Sequence, residues 1–207
     1  MKVVAISDTH MRHHDVQLPE GDLLLHAGDI TSCGILEEAL DFLAWFTEQP
    51  HPNKILIAGN HDFVFERNRP EILKLIPNNI TYLENEGVEI DGIKIWGSPV
   101  QPTFYDWAFN VNRGAAIKKY WDLIPNDTDV LITHGPPYGI LDRTVSYKSV
   151  GCEELLIAVE RVKPKVHLFG HIHEAHGNYN DGNTTFVNAS ILNEKYIYTN
   201  DPFTFEI

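Results

Sequence analysis

Asp8 and His10, Asp29, Asn60 and His61, His134, and His171 and His173 stand where five apolar runs of the chain end. In order, these residues and their neighbours spell D-x-H, G-D, G-N-H-D, T-H-G-P and G-H-I-H. Carboxylate, amide oxygen and imidazole without a thiolate make a ligand mix that suits Mn, Fe or Zn more than Mg alone, with Mn favoured. Ligands arriving from separate strand ends can surround two cations, and paired cations serve in-line displacement at phosphorus. The expected chemistry is hydrolysis of a phosphate ester by a hydroxide held between two metals roughly 3.5 to 4 Å apart. Each motif is weak alone, because a lone Asp or His after a strand is usually a turn or structural residue. Their joint order and types carry the specificity.

Spacing refines the expectation. Asp8 and His10 are two residues apart, so in an extended segment both side chains point the same way and grip one ion. The Asp29 carboxylate has two oxygens, enough to bridge two ions. Gly28, Gly59 and Gly170 each precede a candidate ligand, where a missing Cβ lets the chain turn and the ligand reach inward. Asn60 offers a neutral oxygen to a metal and leaves His61 free to act on the substrate as the catalytic acid that protonates the departing oxygen. Asp62 either orients His61 or caps the turn. His134 is followed by Gly135, Pro136 and Pro137, which fix the next turn. His171 and His173 repeat the two-residue spacing, though a distorted strand end would turn them toward different metals.

Substrate selection falls to loops over the site. The stretch 101–107 is rich in aromatics and prolines, and 139–148 adds Arg143 and Lys148. Aromatics such as Tyr105 are expected to stack on a base while the two cations meet phosphate. The alternative is that Phe104, Tyr105 and Trp107 form a small satellite core that holds the loop down. Among the other histidines, His26 and His167 lie within apolar runs and read as packed strand residues. His13, His14 and His51 read as loop residues, with His13 or His14 near enough to the first ligands to face the site, and His176 reads as surface or as a neighbour of His173.

Elements must hold these positions. Near-continuous apolar runs at 3–6, 23–25, 55–58, 130–132 and 166–169 suit strands covered on both faces. Helical stripes lie between them: Leu36, Leu40, Leu43 and Phe46 in Leu36–Glu48; Ala116, Ile117, Tyr120 and Trp121 in 113–123; Leu155, Leu156, Val159 and Val162 in Glu153–Val162, closed by Pro164. Val88, Ile90, Asp91-Gly92, Ile93 and Ile95 read as a tight hairpin. A strand at 185–189 follows an Asp181-Gly182 turn, and a second hairpin is expected between 196–198 and 203–205. The sum is two stacked mixed sheets with helices outside, not one doubly wound sheet.

Composition allows one domain spanning residues 1–207: the chain is 43% hydrophobic and 22% charged. A net charge of -13, from 16 basic and 29 acidic residues, weighs against extended nucleic-acid binding and against an anionic membrane surface. Cys33 and Cys152 stand singly at apparent helix starts, which predicts small buried thiols in a reducing compartment. Neither a signal segment nor a membrane span is visible, so a cytoplasmic location and a small phosphodiester partner are expected.

The motif set resembles the calcineurin-like metallophosphoesterase superfamily. The stretches GSPVQPTFYDWAFN (97–110), HGPPYG (134–139), VGCEEL (150–155) and FGHIHEAHG (169–177) resemble its metallophosphoesterase-domain-containing branch, related to class III cyclic-nucleotide phosphodiesterases. That resemblance implies a four-layer α/β/β/α sandwich of two mixed sheets with flanking helices, and action on phosphodiesters, cyclic nucleotides among them. It assigns Asp8, His10, Asp29 and His173 to one metal and Asp29, Asn60, His134 and His171 to the other, with Asp29 bridging. Protein Ser/Thr phosphatases of the superfamily carry G-D-x-x-D-R-G, whereas this chain reads Gly28-Asp29-Ile30-Thr31-Ser32-Cys33-Gly34. The missing Asp-Arg pair weighs against a protein-phosphatase activity. Phosphomonoester or dinucleotide hydrolysis is the alternative with the same metals. A non-catalytic scaffold would be marked by a lost ligand, and none is lost.

Overall fold

Burial along the first strand shows how the layers arise. In β1 (Lys2–Ile6), Val3 and Ala5 enter one apolar cluster while Val4 and Ile6 enter two others, as alternation across a sheet requires. The structure, a computed structural model, describes residues 1–207. After β1 come β2 (Leu23–His26), α1 (Leu36–Glu48), β3 (Asn53–Leu56), the short helices α2 (Phe63–Arg67) and α3 (Arg69–Ile72), and β4 (Thr81–Tyr82). The middle of the chain forms β5 (Glu86–Ile90), β6 (Ile93–Ser98), the small pair β7 (Gln101–Pro102) and β8 (Asn110–Val111), and α4 (Ala115–Trp121). It closes with β9 (Val130–Thr133), α5 (Glu153–Val162), β10 (Val166–Phe169), β11 (Gly177–Asn180), β12 (Thr185–Asn188) and β13 (Phe203–Glu206).

Two mixed sheets result, ordered β13-β1-β2-β3-β4 and β11-β12-β10-β9-β6-β5. Strands β1 to β4 are mutually parallel, as are β6, β9, β10 and β12, with the antiparallel strands β13, β11 and β5 at three of the four edges. The sandwich interior sets Val3, Leu23, Leu25 and Ile55 against Ile95, Val130, Ile132 and Leu168. On one outer face Val4, Leu24 and Leu56 meet Phe42, Leu43 and Phe46 of α1. On the other, Trp96, Leu131 and Phe169 meet Ile117 and Trp121 of α4 and Leu155 and Val159 of α5. This is a four-layer α/β/β/α sandwich. A parallel bridge between Ser7 and Ser190 ties the sheets together just past β1 and β12, beside the candidate ligands.

Most elements fall where the pattern placed them, and the Asp91-Gly92 hairpin pairs Ile90 with Ile93. Both turn residues have positive φ, 50° and 81°, the combination a two-residue type I′ turn needs. Other readings need correction. Helix α1 buries Ala39, Phe42, Leu43 and Phe46, while Leu36 and Leu40 are exposed, because the stripe carrying both phenylalanines removes more apolar surface from water. In α5, Ala158 is buried and Leu156 only half-buried. Helix α4 is shorter than 113–123, because Gly114 sits at its cap with φ +77° and Arg113 turns away to the carbonyls of Val150 and Gly151.

The terminal hairpin does not form. Segment 196–198 makes one bridge, Tyr198 to Leu192, while β13 crosses to the free edge of β1 and pairs Phe205 with Val3. There its backbone finds a row of partners and both phenylalanines pack on the sandwich interior. Cys152 is buried, as expected, but Cys33 is exposed in the loop before α1. No helix is long and apolar enough to cross a membrane.

Candidate metal centre

Strand ends deliver the candidate ligands, and the backbone then bends sharply. Asp8 follows β1, Asp29 follows β2, and His171 follows β10, and these three have φ of 56°, 57° and 68°; His10 has 39°. Asp and His tolerate this left-handed region better than branched residues do, and such strain gathers at functional sites. Gly28 also needs it, with φ +97°. Gly59 and Gly170 are glycine for lack of space: an added Cβ would collide with the carboxylates of Asp29 and Asp8 respectively. Both ligand carboxylates are thus seated against bare backbone, in cradles that any side chain would fill.

The donors form two groups, and His61 also comes within ligand spacing of His10 and Asp29. Asp8, His10 and His173 bring one atom each to a common point, as do Asp29, His134 and His171. One oxygen, Asp29 Oδ2, lies 3.6 Å from His10 Nε2 and 3.4 Å from His134 Nε2, between the two groups. Asn60 Oδ1 joins the second group, 2.9 Å from His134 Nε2. In the first, His10 Nε2 and His173 Nε2 are 3.3 Å apart and Asp8 Oδ1 is 3.5 Å from His173 Nε2. Donors about 2.0 to 2.2 Å from one ion stand at such separations. The seven residues expected as ligands therefore gather at one edge of the sandwich, and their donor set fits two divalent ions.

Outer contacts aim the rings. His10, His134 and His173 each direct Nδ1 at a backbone carbonyl, of Thr31 (3.0 Å), Ala27 (2.9 Å) and Asn193 (3.0 Å), where Nδ1–H donates and Nε2 is left facing inward. Asp8 accepts from the Ser190 hydroxyl at 2.7 Å and from the His171 N–H at 3.0 Å. Asp62 accepts N–H bonds from Gly59, Asp29, Ile30 and Thr31 and the Thr31 hydroxyl. It clamps the two loops carrying Asp29 and Asn60 and makes no bond to His61, which decides for turn-fixing over orientation of the acid. Burial and nearby Asp29 push its pKa up to about 6, against five donors that favour the ionised form.

Electrostatics set the resting charge. Burial would raise the pKa of Asp8 and Asp29, but surrounding imidazoles, His173 foremost at Asp8 and His134 at Asp29, hold both well below the carboxylate range. Burial opposes charge on His134 and His173, yet Asp29 lifts the first to about 9 and Asp8 lifts the second to about 9. Burial leaves His10 and His171 neutral, both pushed down to about 4. Ligation needs unprotonated imidazole Nε2. Metal loading at pH 7 is therefore expected to release about two protons per chain, from His134 and His173, and affinity should fall as pH drops below about 9. Calorimetric titration in buffers of different ionisation enthalpy reads the number, and no release at pH 7 would contradict this charge assignment.

A cavity of 230 Å³ opens over the donors, with Asp29, Asn60, His61, His171 and His173 at its base and Phe104, Trp107, Tyr196, Glu174 and Glu194 completing its lining. A larger hollow of 520 Å³ beside α5 and β12 includes Leu156, Val159 and Phe186 but gathers no metal donors, so size does not mark the site. His61 is half-buried; its backbone N–H donates to Asp29 Oδ1 at 2.8 Å and its Nδ1 faces the Ser32 carbonyl at 2.9 Å. Glu38 of α1 in turn accepts the N–H groups of Ser32, Cys33 and Gly34, fixing that loop. The Trp107 ring lies 4.2 Å from the His61 ring and 5.9 Å from Phe63.

The structure does not bring Arg143, Lys148 or Tyr105 into this cavity. All three are exposed, and Tyr105, 78% exposed, rests edge-on against Phe104. The 139–148 loop instead touches the rim through Val145 N–H, which donates to Glu174. Phe104 and Trp107 line the cavity, so the aromatic stretch is not a satellite core. Tyr196, Glu194 and Ser190 escaped sequence reasoning, since none belongs to a motif, and although Glu174 lies in the stretch 169–177 and Asp62 in G-N-H-D, neither the place of the first on the cavity nor the clamp made by the second was read from sequence. His26 and His167 are fully buried strand residues, and burial depresses both to about 3. His51 is also buried, its Nε2 facing the Pro19 carbonyl, and His176 stacks on Phe203. His13 and His14 face Asp41 of α1, away from the cavity.

The family model described as calcineurin-like phosphoesterase matches residues 1–175. The chain is 42% identical to metallophosphoesterase domain-containing protein 1 of Homo sapiens, covering 100% of this chain and 71% of that protein. It is 41% identical to UPF0046 protein K07C11.7 of Caenorhabditis elegans, covering 100% and 75%. Among solved structures, TT1561 of Thermus thermophilus superposes with a TM-score of 0.62 at 14% identity, over 90% of this chain and 88% of that one. GAP50, the anchor in the inner membrane complex of Plasmodium, gives 0.55 at 9% identity over 99% and 77%. Likeness at such low identity speaks for the fold alone.

Proposed function

Because this chain belongs to the calcineurin-like phosphoesterase family it is a metal-dependent phosphoesterase, and we propose that its substrates are small phosphodiesters, cyclic nucleotides among them. The observation that carries the diester reading is the charge of the cavity. Neither Lys nor Arg lines it, while Glu174 and Glu194 do. A diester monoanion tolerates that lining; a monoester dianion needs a further cation or donor at its third free oxygen.

Asp8, His10, Asp29 and His173 would hold one ion and Asp29, Asn60, His134 and His171 the other, with Mn favoured and Fe or Zn also suited to the donor set. Bound there, the ions lower the pKa of water and offset charge on the phosphoryl oxygens. The side chains supply the rest. Asp62 accepts the backbone N–H groups of Asp29 and Ile30, so the shared oxygen of Asp29 keeps its position between the two groups. With Nδ1–H donated to Ser32, protonated His61 keeps one acidic proton, on Nε2, for a departing alkoxide. Phe104, Trp107 and Tyr196 offer faces for a base and help exclude water.

A panel with Mn²⁺ tests the reading: a p-nitrophenyl diester and monoester with matched leaving groups, then linear and cyclic nucleotides. Diester turnover should exceed monoester turnover. Equal or faster monoester hydrolysis would replace this reading with the monoesterase alternative.

A further inference from the structure

His13, His14 and Asp41 make another group of metal-type donors, distinct from the centre above. The turn His13–Asp15 rests on α1, where the His13 ring packs against Phe42 at 5.3 Å and Trp45 at 5.2 Å. His13 is fully buried, and neither of its ring nitrogens forms a hydrogen bond. Buried imidazoles are ordinarily satisfied, and the one group this ring faces, the Asp41 carboxylate, cannot serve both of its nitrogens. Its Nε2 nonetheless lies 3.1 Å from Asp41 Oδ2, and His14 Nε2 lies 3.5 Å from the same oxygen. Ligands about 2.0 to 2.1 Å from a tetrahedral ion stand roughly 3.3 Å apart, so both spacings fit the edges of one coordination sphere.

We propose that His13, His14 and Asp41 bind a divalent transition-metal ion of the Zn²⁺ type, separate from the dinuclear centre, pinning the turn at His13–Asp15 to α1. Two imidazoles and a carboxylate select Zn²⁺, Ni²⁺ or Cu²⁺ over Mg²⁺ or Ca²⁺. Burial pushes His13 down to about 4, which leaves a free lone pair at neutral pH. The His14 and Asp41 side chains are 62% and 50% exposed, so the ion has an entry path and water can complete its shell. The net charge of -13 raises the local cation concentration.

Native mass spectrometry of the full chain titrated with Zn²⁺ tests the proposal, with His14→Ala and Asp41→Asn as variants. Both substituted side chains are largely exposed and lie outside the dinuclear centre, so the fold should persist, and circular dichroism checks this. Wild type should take up one more Zn²⁺ than either variant, whatever the occupancy of the dinuclear centre. Changes outside the first shell already weaken metal sites 10- to 100-fold, so loss of a ligand should weaken this step by at least ~100-fold. Equal Zn²⁺ uptake by wild type and variants, or uptake by wild type that stops at the two ions of the dinuclear centre, would overturn it.

Discussion

Asp29→Asn is expected to lower phosphodiester turnover by about 10³-fold or more and to leave the protein unable to hold two ions tightly. The shared oxygen Oδ2, 3.6 Å and 3.4 Å from imidazoles of the two groups, is the one donor positioned for both. Amide substitution removes its charge, and the electrostatic contribution of paired ions is worth several kcal/mol of barrier. Asn can still accept the His61 N–H, so the loop should survive. Loss of His171, which belongs to one group only, should cost less. Tight binding of two metals by Asp29→Asn, read by elemental analysis after gel filtration, would show that Asp29 does not bridge.

His61→Ala is expected to keep both ions and to lose far more rate on a nucleotide diester than on a p-nitrophenyl diester. His61 donates backbone N–H to Asp29 and lines the cavity, its ring held between the Ser32 carbonyl and Trp107. A p-nitrophenolate leaves without a proton; a sugar alkoxide requires one in the transition state. General acid catalysis contributes roughly 10²- to 10⁴-fold, so a deficit of that order should appear in kcat on the alkoxide substrate alone. Altered folding or metal content would slow both substrates alike. Equal losses would mean that His61 positions the site instead of protonating the leaving group.

The candidate centre was legible because its chemistry is local in sequence. D-x-H, G-N-H-D and G-H-I-H place ligands beside apolar runs, and the glycines at 59 and 170 sit where the structure shows carboxylates pressed on bare backbone. Covered strands were legible for a similar reason, since β2 and β10 are apolar on both faces. Partners distant in the chain were not. Asp62 looks like a turn residue until Asp29 and Thr31 donate to it across 33 and 31 positions, and Ser190 reaches Asp8 across 182. Helix α1 carries two overlapping apolar stripes, and only the sheet beneath it chooses Phe42 over Leu40. At the C-terminus, Phe203 and Phe205 alternate as any hairpin strand would; the open edge of β1 that takes them is a product of the fold. Arg143 and Lys148 matched phosphate by charge alone, and their loop turns them outward.

Metal content and activity measured together on one preparation test the central claim most directly. Protein stripped with a strong chelator should hold no ion and hydrolyse no phosphodiester, then recover turnover as Mn²⁺ is restored, reaching its plateau with both groups of donors filled. Full phosphodiesterase activity in the metal-free protein would contradict it.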